Sequence, residues 1–117
     1  MQQIQLPPLA EGEVYLGGFV DGNGDVTHTI LLPGDNGRAT WKEQIAWAQS
    51  IGGELPSRVE LAVAFAKHKD LFEDDWYWSG EEESSGWAWF QHFGYGLQYC
   101  YGKYGELRAR AVRRLSI

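Results

Sequence analysis

Cysteine and long apolar runs are the scarcest features of this sequence. With one cysteine, Cys100, the 117-residue chain cannot form a disulfide within itself, which is typical of proteins from reducing compartments. No apolar run approaches the roughly 20 residues that a membrane-spanning helix needs. The first residues lack a basic stretch followed by an apolar one, so we expect no signal peptide and no membrane partner.

Basic residues are also few. Ten Lys and Arg stand against 16 Asp and Glu, and the net charge of −6 argues against a nucleic-acid binder. The charges are segregated, because residues 70–83 hold seven acids and no base, whereas residues 103–114 hold five bases and one acid. One interpretation is that the two segments neutralise each other or stay solvated. The other is that the acidic segment docks on a basic partner.

Motifs for metal binding and catalysis are missing. The three histidines are dispersed and form no zinc motif. Residues 21–25 begin like a calcium loop, but Val26 stands where that loop needs glycine and Leu32 where it needs glutamate. Cys100 and His92 have no orienting group in the local sequence. We therefore expect no metal, no cofactor and no enzymatic activity.

Aromatic residues, in contrast, are abundant and concentrated. Residues 76–104 hold 11 of the 17 aromatic side chains of the chain. Within this segment they recur at alternate positions in three runs, which predicts strands. The turn-forming segments 79–86 and 94–96 separate the runs. The pattern predicts an antiparallel meander with an aromatic face, and it leaves the acids at 81–83 in a loop.

Three further segments read as strands. Residues 14–20 and 26–32 are extended and apolar, and the polar, glycine-rich residues 21–25 between them predict a hairpin turn. Two adjacent glycines in the first of these strands predict a bulge. Residues 108–115 are expected to form the last strand of the fold.

Two helices are expected between the hairpin and the meander. The first spans residues 40–51, and Thr40 with Glu43 has the spacing of a capping box. The second begins at Ser57, where Ser57 and Glu60 repeat that spacing.

The order of elements predicts the α+β class, with two helices packed on small antiparallel sheets, because no strand–helix–strand alternation is present. We expect one domain over residues 1–117, with an extended lead-in at residues 1–12 that is able to exchange between the subunits of a homo-oligomer. The main core candidates are Trp41, Trp47, Phe65, Trp78 and Trp89.

Several arginines need partners. Arg58 falls in the first turn of the second helix, where a cation opposes the helix dipole, so we expect a carboxylate to hold it. The candidate carboxylates are Glu54, Glu60 and those of the acidic loop. The arginines of residues 108–114 are expected to be largely structural, with tryptophan rings of the meander as stacking partners.

Three motifs, in this order, resemble those of a known family. Residues 52–61 read GGELPSRVEL, residues 76–79 read WYWS, and residues 108–114 read RARAVRR. The set is similar to the Lcl C-terminal domain family, whose members are common in prophages and bacterial surface proteins. Gly80 stands where the family carries the second serine of its YWSS segment.

The resemblance implies a C-type-lectin-like fold, in which the first and last strands pair and long loops project from a small sheet. It also implies a phage- or prophage-encoded protein, placed in the cytoplasm of a bacterial host or in a virion. The calcium-ligand motifs of sugar-binding C-type lectins are absent from this sequence. The resemblance therefore implies a scaffold for binding more than a catalytic activity.

The late strands are the expected binding face. Tyrosines among glycine and small polar residues resemble antibody contact surfaces, because tyrosine gives a large contact area at a small entropic cost. The C-type-lectin-like fold that the resemblance implies also carries the variable receptor-binding proteins of diversity-generating retroelements, in which the late strands and loops form the ligand face. The alternative is that these tyrosines only cover the sheet. The candidate binding residues are Tyr95, Gln98, Tyr99, Tyr101, Lys103 and Tyr104, together with Glu81, Glu82 and Glu83.

We therefore expect a non-enzymatic module that binds a protein through its tyrosine-rich face and acidic loop. One alternative is an inhibitor of a bacterial defence system that acts through an acidic surface. Another is a structural phage component, such as a fibre tip or a receptor-binding protein.

Overall fold

The computed structural model describes residues 5–116. The expected lead-in therefore lies partly outside the described residues, and its residues 5–12 contain no helix or strand. The described chain forms eight strands, two α-helices and a short 3-10 turn at Lys69–Leu71. The strands are β1 (Val14–Val20), β2 (Val26–Leu31), β3 (Asn36–Ala39), β4 (Trp76–Ser84), β5 (Trp87–His92), β6 (Gln98–Gly102), β7 (Leu107–Ala109) and β8 (Val112–Ser116). The helices are α1 (Trp41–Ser50) and α2 (Arg58–His68).

The α+β class is confirmed, since residues 5–116 form two helices and two mostly antiparallel sheets. A three-stranded sheet has the order β1-β2-β8, and a five-stranded sheet has the order β3-β7-β4-β5-β6. The meander predicted from the aromatic alternation is the β4-β5-β6 part of the larger sheet. Its strands pair antiparallel, whereas β4 and β7 are parallel neighbours.

The predicted first hairpin is confirmed with its turn and its bulge. Asp21 closes the turn, because its side-chain Oδ1 accepts hydrogen bonds from the amides of Asn23 at 2.9 Å and Asp25 at 3.0 Å. The register of β1 against β2 shifts between Tyr15 and Gly17, next to the paired glycines. The carboxylate of Asp21 therefore stabilises its own turn.

The expectation of one last strand over residues 108–115 is wrong. The chain forms β7 in the larger sheet and β8 in the smaller one, and it changes sheet at Arg110. Arg110 is buried there, and its guanidinium donates to the carbonyls of Leu71 at 2.6 Å and Leu32 at 2.8 Å. An alternating pattern shows that a segment is extended but not which sheet it joins.

The expected pairing of the first and last strands is also wrong. β8 pairs antiparallel with β2, from Leu31 opposite Val112 to Thr27 opposite Ser116, and β1 lies on the other side of β2. Strand β3 was not predicted, because its sequence NGRA has no β-branched or aromatic residue. It forms by pairing with β7.

Both helices begin as predicted. The Thr40 hydroxyl accepts from the Glu43 amide and the Glu43 carboxylate accepts from the Thr40 amide, and Ser57 and Glu60 repeat this arrangement. Gly52 follows α1 with a φ of 82°, a left-handed conformation that glycine adopts without strain. Of the helices in residues 5–116, none combines the length and apolar character needed to span a membrane.

Two core clusters lie on opposite faces of the five-stranded sheet, because adjacent strand residues point in opposite directions. Trp78 of β4 packs in the cluster that includes Ala48 of α1, whereas Tyr77 packs in the cluster that includes Leu61 of α2. Of the five expected core residues only Trp78 is fully buried, and the other four are half-buried. Tyr77 and Phe93, which the core prediction omitted, are fully buried.

Glu60 connects α2 to two strands of the smaller sheet. Its carboxylate accepts two hydrogen bonds from Arg114 of β8, at 2.7 and 2.9 Å, and one from the Thr29 hydroxyl of β2 at 2.6 Å. It also accepts from the Ser57 amide. Burial by itself would raise the pKa of Glu60, but these hydrogen bonds outweigh it and hold the pKa below its ordinary value of 4.5.

Gly53 lies against the smaller sheet too closely for a side chain. A Cβ atom there would come within 2.6 Å of the Val112 carbonyl oxygen and 2.7 Å of a Leu32 methyl carbon. We expect Gly53→Ala to lower the free energy of unfolding by about 1 to 3 kcal/mol, because backbone must shift. The matched control is Gly37→Ala, since a Cβ at Gly37 meets nothing within 4 Å. Equal urea unfolding midpoints for the two variants would contradict this prediction.

The ion pair of Glu60 predicts a dependence of stability on pH. Because the pKa of Glu60 is lowered in the folded state, its contribution is present above pH 4.5 and is lost as the pH falls below that value. At neutral pH we expect Glu60→Gln to lower the free energy of unfolding by about 2 kcal/mol or more, since Arg114 loses the buried one of its two counter-charges. Melting temperatures measured between about pH 6 and pH 3 should converge for the two proteins. A gap that stays constant over this range would exclude the ionised carboxylate as the cause.

Candidate binding surface

Strand β6 lies at the edge of the five-stranded sheet. It pairs with β5 from Gln91 opposite Gln98 to Trp87 opposite Gly102, and in the described part of the chain its other edge has no neighbouring strand. Backbone groups on that edge are therefore open to another molecule.

The four late tyrosines are all exposed. Their exposed fractions are 80% for Tyr95, 67% for Tyr99, 41% for Tyr101 and 93% for Tyr104. Tyr99 and Tyr101 belong to β6, while Tyr95 and Tyr104 occupy the turns before and after it. We call these four residues the tyrosine surface. They do not contribute to the buried core, as the binding hypothesis requires.

Two of these tyrosines have restricted positions. The ring of Tyr101 meets the ring of Trp76 edge-on, with 5.6 Å between the ring centres. The Tyr101 ring also covers Gly105, where a Cβ atom would clash with it. The ring of Tyr95 lies 4.8 Å from the ring of His92, whose Nδ1 accepts from the Tyr95 amide at 3.3 Å. Side chains that are already oriented lose less entropy when they bind.

Gln98 is committed to contacts within the chain. Its amide nitrogen donates to the Arg58 carbonyl at 2.7 Å and to Gln91 at 2.9 Å, and its oxygen accepts from the Arg58 side chain at 3.0 Å. The amide group thus attaches β6 to the first turn of α2. Gln98 thus holds in place the strand that carries Tyr99 and Tyr101.

Lys103 is likewise engaged. Its ammonium donates to Glu82 at 2.6 Å and to the Ser85 carbonyl at 2.9 Å, and it lies 4.5 Å from the centre of the Trp41 ring. This ion pair compensates the charge of Glu82. Lys103 therefore fixes the β4–β5 turn against the start of α1.

The expected acidic loop is instead the exposed outer half of strand β4, and only Ser85 and Gly86 form the turn to β5. Glu81 accepts a hydrogen bond from the Arg58 amide at 2.7 Å, at the N-terminus of α2. Glu83 takes part in none of the ion pairs found within residues 5–116. The three glutamates thus differ: Glu81 accepts a backbone hydrogen bond, Glu82 is in an ion pair, and the carboxylate of Glu83 is in no ion pair within residues 5–116.

The expectation that a carboxylate holds the side chain of Arg58 is wrong. Its guanidinium lies over the Trp89 ring, with 3.5 Å between Cζ and the ring centre, and Gln98 orients it. The late arginines bind mainly carboxylates instead of indole rings. These pairs join Arg108 to Asp35 and Asp75, Arg113 to Glu13, and Arg114 to Glu54 and Glu60.

A groove that sequence reasoning did not single out lies beside the tyrosine surface. It has a volume of about 450 Å³, and it is lined by Glu83, Trp87, Trp89, Tyr99 and Cys100. The alternation placed Trp87 and Trp89 on one face of their strand, but the register against β6 was needed to place Cys100 and Gly102 opposite them. Among residues 5–116, no three His, Cys, Asp or Glu side chains are grouped closely enough to hold a metal ion.

No family model matches this chain, and no curated protein matches it significantly.

The contacts of Gln98 predict that it acts in the framework. We expect Gln98→Ala to lower the free energy of unfolding by about 1 to 3 kcal/mol, because it leaves polar partners on Arg58 and Gln91 unsatisfied. Tyr104→Ala should change it by no more than about 0.5 kcal/mol, since that side chain is exposed. Chemical denaturation of the two variants checks this. A Gln98 variant as stable as the Tyr104 variant would contradict the assignment.

Proposed function

We propose that this chain is a non-enzymatic module that binds another protein through the tyrosine surface and the exposed acids of β4. The observation that carries the proposal is the exposure of all four late tyrosines around one edge strand. Such a grouping of aromatic side chains is typical of contact surfaces, because each ring adds a large area at a small entropic cost.

The framework beneath the surface supports this function. Gln98 attaches β6 to α2, and Lys103 in the following turn lies over the Trp41 ring of α1, so the tyrosines are carried by elements that are held to both helices. The backbone edge of β6 adds hydrogen-bonding groups that a partner strand or loop is able to use. Affinity then comes from aromatic contacts, and orientation comes from the backbone.

The environment of Cys100 supports a role other than catalysis. Burial raises the pKa of its thiol, and the nearby charge of Glu83 raises it further. The thiolate is the nucleophilic form of cysteine, so this environment disfavours nucleophilic attack.

We further propose that the chain is a C-type-lectin-like domain of the Lcl C-terminal domain family, encoded by a phage or prophage, in which β2 instead of β1 pairs with the last strand. What supports this is the meeting of the three motifs in space. Gly53 packs on Val112, Glu60 pairs with Arg114, and a Cβ at Gly80 would lie 3.1 Å from the Leu55 carbonyl. The motif residues thus join α2, β4 and β8 into one framework.

The inhibitor that acts through an acidic surface has weaker support. Asp75 is paired with Arg38 and Arg108, and Glu82 is paired with Lys103. These basic residues reduce the negative potential that an imitation of nucleic acid requires.

Affinity capture from a bacterial lysate tests the proposed function. We expect the immobilised protein to retain a specific protein, and the double variant Tyr99→Ala/Tyr104→Ala to retain at least about tenfold less, since aromatic contacts of this kind are worth about 1 to 2 kcal/mol each. Quantitative mass spectrometry of the bound fraction provides the measurement.

The matched control is Val20→Ala/Val59→Ala, which removes two exposed apolar side chains outside the tyrosine surface. This variant should retain the same protein in the same amount as the unmodified chain. Equal retention by the tyrosine variant and the unmodified chain would refute the proposal.

A further inference from the structure

The groove between β5 and β6 is open because small residues lie opposite its two tryptophans. Trp87 is paired with Gly102 and Trp89 is paired with Cys100. Paired residues of antiparallel strands share a face of the sheet, so each indole has a small neighbour beside it. A Cβ atom built on Gly102 would meet nothing within 4 Å, which leaves free space next to Trp87.

The lining of the groove is aromatic with one available negative charge. Trp87 is 50% exposed, and Tyr99 forms part of the wall. Glu83 also lines the groove; besides burial, its charge raises the pKa of the Cys100 thiol, whereas the charge of Arg58 on the Trp89 ring lowers it. Aromatic faces beside a carboxylate attract cations, because the ring quadrupole and the carboxylate present negative potential in the same place.

The chain already uses its indole rings in this way. The guanidinium of Arg58 lies 3.5 Å from the centre of the Trp89 ring, and the ammonium of Lys103 lies 4.5 Å from the centre of the Trp41 ring. Both cations also have an oxygen partner, from Gln98 and Glu82 respectively. In the groove, Trp87 and Glu83 offer the same combination to a cation from outside the chain.

We propose that this groove receives an arginine or lysine side chain of the bound protein, with Trp87 against its aliphatic stem and Glu83 as its counter-charge. This inference rests on the proposed function and names the chemistry of the partner at one position. The net charge of −6 favours the approach of a basic partner to this surface. A basic side chain seated here lies directly beside Tyr99 of the tyrosine surface.

Small probes test the groove without the partner. We would titrate the ¹⁵N-labelled protein at low salt with N-acetyl-arginine amide, N-acetyl-lysine amide and the neutral N-acetyl-norleucine amide. Either cationic probe should shift the indole N–H signals of Trp87 and Trp89 in a saturable way in the millimolar range, and the neutral probe should bind at least about threefold more weakly. Equal binding of the three probes, or no saturable shift, would overturn the inference.

Two variants test separately the charge of Glu83 and the free space beside Trp87. Glu83→Gln keeps the shape and removes the charge, so the cationic probe should bind about five-fold more weakly, as expected for about 1 kcal/mol. Gly102→Leu fills the free space beside Trp87 and should abolish the shifts. Gly37→Leu is its matched control, because a Cβ atom at Gly37 would also meet nothing within 4 Å and Gly37 lies in β3, at the opposite edge of the sheet. Unchanged probe affinity in both Glu83→Gln and Gly102→Leu would exclude this groove.

The two proposals fail in different ways. If lysate capture depends on the tyrosines but the cationic probes do not bind, the protein-binding function stands and the cation groove is refuted. If the probes bind with the expected dependence on Glu83 but capture does not depend on the tyrosines, the groove is a cation site and its assignment to a protein partner is refuted.

Discussion

The buried carboxylate of Glu60 is the contact on which the arrangement of the fold depends. Its oxygens accept a hydrogen bond from the Ser57 amide at the N-terminus of α2 and one from the Thr29 hydroxyl of β2. They also accept two from the guanidinium of Arg114 on β8. A buried ion pair is stable only when its polar atoms are satisfied, and here every oxygen has a partner. The position of α2 relative to the smaller sheet is thereby fixed, and α2 in turn supports β5 and β6 through Arg58 and Gln98.

Local chemistry was readable from the sequence. The capping boxes at Thr40 and Ser57, the hairpin turn at Asp21 and the aromatic meander all depend on residues close together in the chain, and all were predicted. The errors concern partners distant in sequence. The change of sheet at Arg110 depends on the carbonyls of Leu32 and Leu71, and β3 forms only because β7 lies beside it. Neither of these long-range contacts produces a periodic pattern in the sequence.

For the candidate binding surface, too, some features were predictable from the sequence and others were not. The setting of the tyrosines among glycines and polar residues indicated a contact face but left their exposure open, and the structure places all four at the surface. Gln98 and Lys103 were grouped with them because they are neighbours in sequence, yet their hydrogen bonds lie within the chain. The groove beside Trp87 required the register of β6, which sets Gly102 opposite that ring. Composition indicated where a contact face lies, but only tertiary contacts reveal which side chains are exposed and which polar groups have no partner within the described residues.

The edge position of β6 has an evolutionary consequence. Tyr99 and Tyr104 make no contribution to either core cluster, whereas the framework contacts are concentrated in a few residues such as Glu60 and Gln98. Folding therefore does not oppose mutations at the outward positions, and under the proposed function recognition alone selects them. A module with the proposed function is thereby able to exchange one target for another by point substitutions along a single strand and its flanking turns, while the residues of its framework stay the same.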